Sequence, residues 1–172
     1  MKLYYGIPSD IDAWMALVTR VRDNFPGLET QKALDDHRAT VLRFMGKHQA
    51  ICVKEDSRIT GVMLFSRGHN MICFLAVHPE SRRQGTASVL MDEALRQLDH
   101  TREITVSTFT ADDEKGCAPR ALYGKYGFIE DALTVEFDYP NQVFVLHPGR
   151  SRAQRKTAVC QQDDAGDHKA PR

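Results

Sequence analysis

The chain has 172 residues, of which 42% are apolar and 27% charged, and its formal net charge is zero. This length suits one domain that buries about two-thirds of its unfolded surface. A nucleic-acid-binding protein needs a basic surface, and a membrane-spanning helix needs about 18 consecutive apolar residues; the sequence offers neither. The totals favour a small molecule or a protein as the partner.

The cysteines and histidines show no pattern of a metal site or of a redox pair. No Cys-x-x-Cys occurs, and the seven histidines lack metal-binding spacing. Residues 1–5 lack the pattern of a secretory signal. We therefore expect a cytoplasmic protein without a metal site and with reduced thiols at Cys52, Cys73, Cys117 and Cys160. The thiol of Cys117 is expected to be small and buried.

The first half of the chain predicts a strand, two helices and a hairpin. The strand covers residues 2–7, and Ser9 or Asp10 follows as the cap of the first helix. Helical spacing of apolar residues runs from about Thr30 to Gly46. Two apolar segments, 50–54 and 59–66, flank a polar turn and predict a β-hairpin.

The second half predicts four strands and two helices. Residues 71–77 are apolar throughout, which is typical of a central strand that is buried on both faces. The next helix carries its apolar residues on one face: Ala87, Leu90, Met91, Ala94, Leu95 and Leu98. A strand over 104–109, a helix over 118–126 and strands over 133–137 and 142–147 complete the chain. The order β-α-α-β-β-β-α-β-α-β-β predicts an α/β (α+β) fold with a mixed sheet and helices on its faces.

The composition changes after residue 147. Residues 148–172 contain no Leu, Ile, Phe, Tyr or Trp, so they cannot form a core. We therefore predict one domain over 1–147, followed by a disordered polar tail. The tail contains the basic cluster Arg150, Arg152, Arg155 and Lys156; either it is solvated or it binds a partner.

The segment between residue 77 and the third helix has the composition of an anion site. The first turn of a helix leaves its N–H groups without intrahelical acceptors and carries a partial positive charge. Gly85 permits close approach of a ligand to the backbone, and Arg82 and Arg83 add charge. Thr86 and Ser88 offer hydroxyl donors. No Gly-Lys-Ser/Thr follows and only one glycine is present, so neither a P-loop nor a dinucleotide fingerprint is indicated.

Three motifs resemble the GNAT superfamily of acetyl-CoA-dependent N-acetyltransferases. Arg82-x-x-Gly85-x-Ala87 is similar to the superfamily signature, and Leu75-Ala76-Val77-His78-Pro79 resembles the strand before it. Residues 119–128, with Tyr123 and Gly127-Phe128, resemble the late helix motif. The resemblance covers residues 1–147 and implies the GNAT fold, with a mostly antiparallel sheet of about seven strands.

The resemblance also implies a site for acetyl-CoA, the one co-substrate expected. Backbone N–H groups from Arg83 to Ser88 would hold the pyrophosphate, and an open edge at residues 75–77 would bind the pantetheine arm. An N–H near Val77 would polarise the thioester carbonyl. The cofactor-binding residues implied are Leu75, Ala76, Val77, Arg82, Arg83, Gln84, Gly85, Thr86, Ala87 and Ser88.

Tyr123 is the catalytic residue that the resemblance implies. A phenol at the sulfur can donate a hydrogen bond or a proton when CoA leaves as a thiolate. Relatives carry an Asn seven residues earlier or a Glu twelve residues earlier; here these positions hold Gly116 and Ala111. The general base therefore stays open between the nearby Asp112, Asp113 and Glu114 and a water relay to a more distant carboxylate.

The acceptor site in this superfamily lies near the loop between the first two helices and the connection of the last two strands. Phe25 and Tyr139 would wall an apolar slot there, and Glu29 would attract a cationic amine. His78 is expected at the surface. Monomer and homodimer stay equally open, and the alternative to an enzyme is a non-catalytic acyl-CoA-binding regulatory module.

Overall fold

The computed structural model describes residues 1–149, which form seven strands and four helices in the predicted order. The elements are β1 Lys2–Tyr5, α1 Ile11–Val21, α2 Gln31–Gly46, β2 Ala50–Glu55, β3 Arg58–Ser66, β4 Met71–Val77, α3 Thr86–Gln97, β5 Ile104–Phe109, α4 Cys117–Lys125, β6 Ile129–Glu136 and β7 Tyr139–Leu146. Single 3-10 turns, which the sequence did not predict, precede α1, α3 and α4 and follow α1.

All seven strands form one sheet in the order β1-β2-β3-β4-β5-β7-β6. The predicted hairpin of β2 and β3 is confirmed, and every neighbouring pair is antiparallel except β4 and β5, which are parallel. The predicted mixed, mostly antiparallel sheet is therefore confirmed. Its parallel pair lies at the centre of the strand order.

The two faces of the sheet carry separate cores. Buried residues of α3 and α4, such as Leu90 and Tyr123, pack on one side with Phe65 and Phe144 of the sheet. The inner faces of α1 and α2 pack on the other side, where Trp14 is fully enclosed. Helices on both faces, as predicted, bury the sheet between two layers.

The prediction that a side chain caps the start of α1 was wrong. Asp10 occupies the N-cap position but makes no side-chain cap bond. Its carboxylate instead accepts from the Ile7 N–H and from Lys54 Nζ, at 3.2 and 2.7 Å. The expected start of α2 at Thr30 is confirmed by a bond of 3.1 Å from the Ala33 N–H to the Thr30 hydroxyl.

Strand β4 is central, as predicted, but it is not buried on both faces. Ile72 and Ala76 are buried, whereas Cys73 is exposed and the other residues are half-buried. A register shift in the β3–β4 pairing falls at Leu64 and Phe65 on β3. The prediction failed because β4 lies beside an opening in the sheet.

The predicted polar tail lies, from residue 150 onward, outside the described residues. Within residues 1–149, no helix is long and apolar enough to cross a membrane.

Candidate active site

An opening between β4 and β5 is the central feature of the site. In the described sheet these strands share one paired position, Met71 with Thr105, at the first residue of β4 and the second of β5. From there β4 keeps its pairing with β3 as far as Val77, but it has no partner on the β5 side. The predicted edge residues Leu75, Ala76 and Val77 therefore lie on an open strand edge, with peptide groups free to bind a ligand.

Asn70 joins the two strands at the closed end of this opening. Its side-chain amide donates to the carbonyls of Asp99 and Glu103 at 2.8 and 2.9 Å, and its oxygen accepts from the Asp99 N–H at 2.8 Å. Its own carbonyl accepts from the Thr105 N–H. Asn70 is buried, with φ of 52°, a conformation that Asn tolerates better than most residues. One side chain thus holds both strands where they meet.

The start of α3 provides a row of unpaired N–H groups beside the open end. Within residues 1–149, no loop carbonyl accepts from the amides of residues 83–88, whereas the next amide, of Val89, donates to the Gly85 carbonyl at 3.0 Å. These free donors, at the positive end of a 12-residue helix, are chemically suited to an anion.

The loop before α3 needs glycine for its backbone conformation. Gly85 has φ of 88°, and a Cβ added there would meet no atom within 4 Å. The conformation therefore requires glycine, and Gly85 keeps this space open toward a ligand. Arg83 also has a positive φ, of 61°. Arg82, Arg83 and Gln84 are exposed, and Gln84 donates to the Glu80 carbonyl.

The Thr86 side chain does not face a ligand, contrary to expectation. Its hydroxyl donates to the Ser81 carbonyl at 3.2 Å, and the residue is buried. A Cβ on Gly61 of β3 would lie 2.5 Å from the Thr86 methyl, so α3 approaches the sheet closely here. Ala87 and Ser88 are half-buried. The contribution of Thr86 to the anion site is thus limited to its N–H.

His78 is buried, and its predicted surface position was wrong. Its ring accepts from the Glu80 N–H and packs against the Arg58 guanidinium, which also pairs with Glu80. Burial, together with the nearby Arg58 charge, lowers the pKa of His78. The imidazole stabilises the turn that leads from β4 toward α3.

Tyr123 lies in the core between α4 and the sheet. Its ring contacts Phe128 and Phe144, with centroids 5.9 and 6.1 Å away. No described residue forms a hydrogen bond with its hydroxyl, and burial raises the pKa of this phenol well above its usual value. The neighbouring Tyr126 differs, because its hydroxyl donates to Asp92 at 2.9 Å. Tyr123 therefore keeps its proton and has it available for an incoming group.

Comparison with known proteins agrees with this geometry. The sequence model of the acetyltransferase (GNAT) domain matches residues 27–141, two-thirds of the chain. The chain belongs to the GNAT acetyltransferase family. A search of curated protein sequences finds no match.

Solved structures of GNAT proteins share the fold. A GNAT-family acetyltransferase from Bacillus cereus ATCC 10987 is 20% identical, with 87% of this chain and 98% of that one covered and a TM-score of 0.64. Ribosomal-protein-alanine N-acetyltransferase from Brucella melitensis is 14% identical over 86% and 99%, with a TM-score of 0.65. PaiA N-acetyltransferase from Thermoplasma acidophilum, solved with coenzyme A, is 11% identical over 85% and 98%, with a TM-score of 0.63.

On the α1 and α2 side of this acetyltransferase, three loops meet near the end of β5. Lys115 Nζ donates to the Asp23 carbonyl at 2.9 Å. Phe137, in the turn between β6 and β7, packs over Gly27, where an added Cβ would lie 2.6 Å from its ring. A cavity of about 520 Å³ opens beside them, lined by Thr110, Asp112, Asp113, Glu114, Lys115, Tyr139 and Pro140.

Two of the three acidic residues of this cavity are engaged in structural bonds. Asp113 accepts from the Tyr139 hydroxyl at 2.6 Å and caps the following 3-10 turn through the Lys115 N–H. Asp112 accepts from the Thr110 hydroxyl. These bonds lower the pKa of both carboxyls, and the Asp113 bond raises the pKa of Tyr139. Of the candidate bases, Asp112 and Asp113 are therefore weak proton acceptors.

Phe25 and Tyr139 do not contact each other as walls of one slot. Phe25 stacks on Phe74 of β4 with centroids 4.5 Å apart, and Tyr139 meets Phe109 edge to face at 5.7 Å. The Glu29 carboxylate accepts from the Gly27 N–H, which lowers its pKa and keeps it ionised. Glu29 thus remains an exposed negative charge on this loop.

The structure also explains the glycine at position 116 and corrects the prediction for Cys117. A Cβ on Gly116 would lie 3.0 Å from Phe109 Cβ and from the Thr110 carbonyl, so packing leaves little room for a side chain. Cys117 is exposed at the start of α4. In the described part of the chain, no group of three or more His, Cys, Asp or Glu is arranged to hold a metal ion.

The sequence reasoning missed Asn70, Phe137 and His37. Asn70 was assigned to a turn, and its fitness for a positive φ was the signal available. Phe137 was assigned to a strand, although it lies in the turn after β6. His37 lies within the helical pattern of α2, and nothing in the sequence indicated that its ring packs on Phe74 with centroids 4.7 Å apart.

Proposed function

We propose that this GNAT protein transfers the acetyl group of acetyl-CoA to a primary amine of a small molecule or peptide by direct attack in a ternary complex. The observation that carries the proposal is the open edge of β4 beside the free amides at the start of α3. The free amides at the start of α3 suit the pyrophosphate of acetyl-CoA. The open edge of β4 suits the amides of its pantetheine arm.

The binding roles follow from the groups that are free. The N–H groups of residues 83–88 hold the pyrophosphate, and exposed Arg82 and Arg83 add positive charge from outside. The peptide groups of residues 75–77 bond the amides of the pantetheine arm and complete the sheet at its opening. An N–H near Val77 polarises the thioester carbonyl, where negative charge develops as the amine attacks.

Tyr123 assists the departure of the CoA sulfur. The amine nitrogen forms a bond to the carbonyl carbon, the carbon–sulfur bond breaks, and the sulfur leaves as a thiolate. Phenol and thiol pKa values of about 10 and 8.5 already make full proton transfer uphill by about 2 kcal/mol. Burial raises the pKa of Tyr123 further, so hydrogen-bond donation to the sulfur is the favoured role.

Thiol release from acetyl-CoA tests the proposal. The wild-type protein is assayed with spermidine, kanamycin, free amino acids and peptides with a free N-terminus, while acetyl-CoA binding is measured separately by calorimetry. Amine-dependent release together with an acetylated product supports the proposal. Tight acetyl-CoA binding without release from any of these amines would instead indicate a non-catalytic acyl-CoA-binding module.

A further inference from the structure

His37 is a half-buried titratable residue to which the proposed reaction has so far assigned no role. It lies on the inner face of α2, one turn from each of the buried residues Leu34 and Val41. Its ring packs on Phe74, which directly precedes the open edge of β4, with centroids 4.7 Å apart. Phe74 also carries the Phe25 ring of the loop between α1 and α2. His37 therefore borders the open edge on the α1 and α2 side.

The imidazole has an unused nitrogen. Nε2 of His37 is enclosed by protein and has no hydrogen-bond partner in the described residues. A buried polar atom without a partner costs free energy, and functional sites are a common reason for one to persist. Burial also lowers the pKa of His37, so the ring is neutral at pH 7 and Nε2 can carry a lone pair.

The charges around His37 do not change this protonation state. Its neighbours Asp36 and Arg38 on α2 pair with Lys32 and with Asp12 of α1, respectively. From β4, the aromatic Phe74 faces the ring. Desolvation is the one cause that acts on the imidazole.

We propose that His37 is the general base of this acetyltransferase and that its Nε2 takes the proton of the acceptor amine. The inference rests on the proposed function. The amine nitrogen attacks the thioester carbonyl carbon and loses one proton to Nε2, and the carbon–sulfur bond breaks. Tyr123 stabilises the thiolate, and the proton on His37 returns to solvent after turnover. Because Nε2 is enclosed, a neighbouring side chain must rotate before the amine can reach it.

Three carboxylates and one histidine near the site are less suited to the role. Asp112, Asp113 and Glu29 each accept structural hydrogen bonds that lower the pKa of the carboxyl, which weakens them as proton acceptors. His78 accepts a bond from the Glu80 N–H and contacts Arg58. His37 combines a free nitrogen with a position beside the open edge.

The test compares pH profiles of His37→Gln, His37→Phe and wild type, using the amine that gives the fastest thiol release in the panel above. Both variants are expected to lower kcat at pH 7 by about 100-fold or more, with the KM for acetyl-CoA unchanged. The inflection that ionisation of His37 produces in the wild-type pH profile of kcat is expected to be absent from the profiles of both variants. Phe retains an apolar ring for the core, so loss of activity in a folded His37→Phe variant separates the base from a packing role. His69→Gln, at an exposed histidine of the β3–β4 turn, is the matched control.

A wild-type profile in folded His37→Gln would overturn the assignment and leave the proposed function intact. Absence of thiol release from wild type with every amine would instead remove the proposed function, and the base with it. NMR titration of the His37 ring gives a readout independent of turnover. A neutral ring at pH 7 with its proton on Nδ1 supports the proposal, and a proton on Nε2 contradicts it.

Discussion

Met71 and Thr105 form the one paired position between β4 and β5 in the described sheet. Beyond it, β4 remains bonded to β3, while β5 is bonded to β7 along its whole length. The sheet is thus continuous at one end and open at the other. This divergence leaves a central, apolar strand with an unpaired edge, and the α3 amides lie at its open end.

Asn70→Ala is expected to loosen the closed end of the opening. The substitution removes three hydrogen bonds to the backbone of Asp99 and Glu103 and leaves buried groups unpaired, which costs about 2 to 4 kcal/mol of unfolding free energy. Urea denaturation measures the loss, and calorimetry measures the accompanying weakening of acetyl-CoA binding. Stability equal to wild type would show that other contacts hold the strands together.

Gly85→Ala is expected to strain the loop before α3. A φ of 88° costs a residue with a Cβ about 1 to 2 kcal/mol, although the added methyl meets no atom. Gly68→Ala is the matched control, because Gly68 also has open space but no positive φ. Gly85→Glu should additionally weaken acetyl-CoA binding through its negative charge. Normal affinity in Gly85→Glu would place the phosphate site elsewhere.

Gly61→Ala is expected to push α3 away from β3. The added Cβ would lie 2.5 Å from the Thr86 methyl and 3.1 Å from Leu90, so we expect a loss of about 1 to 3 kcal/mol from overpacking. Gly46→Ala, at the end of α2 with no atom near its Cβ, should leave stability unchanged or raise it slightly. Equal midpoints in urea for both variants would contradict the close approach.

Tyr123→Phe is expected to keep acetyl-CoA affinity and lower kcat by about 10- to 1,000-fold. The ring contacts to Phe128 and Phe144 survive the change, so the fold should be unaffected. Because burial raises the pKa of Tyr123, its phenol stays protonated, and wild-type activity should not fall from its ionisation up to about pH 10. Unchanged kcat in the variant would remove Tyr123 from the mechanism.

Local sequence patterns were sufficient to predict the order of helices and strands. They failed to predict features that depend on contacts between segments distant in sequence. Periodicity predicted the hairpin and the apolar face of α3, because both depend on residues close in sequence. The exposure of Cys73 depends on how β5 runs 30 residues later. His78 was misplaced for a similar reason: the side chain of Arg58, from β3, covers its ring.

The candidate site likewise contains some features that local sequence predicts and others that depend on tertiary packing. The motif around Gly85 by itself indicated the anion-binding turn, since a glycine with a positive φ at a helix start is a local property. The resemblance to a known family also indicated Tyr123. Only the tertiary structure brought His37 of α2 against Phe74 of β4, and engaged Asp113 with Tyr139. Local chemistry determined the backbone conformation at the proposed phosphate site, whereas long-range packing decided which groups border the proposed acceptor site.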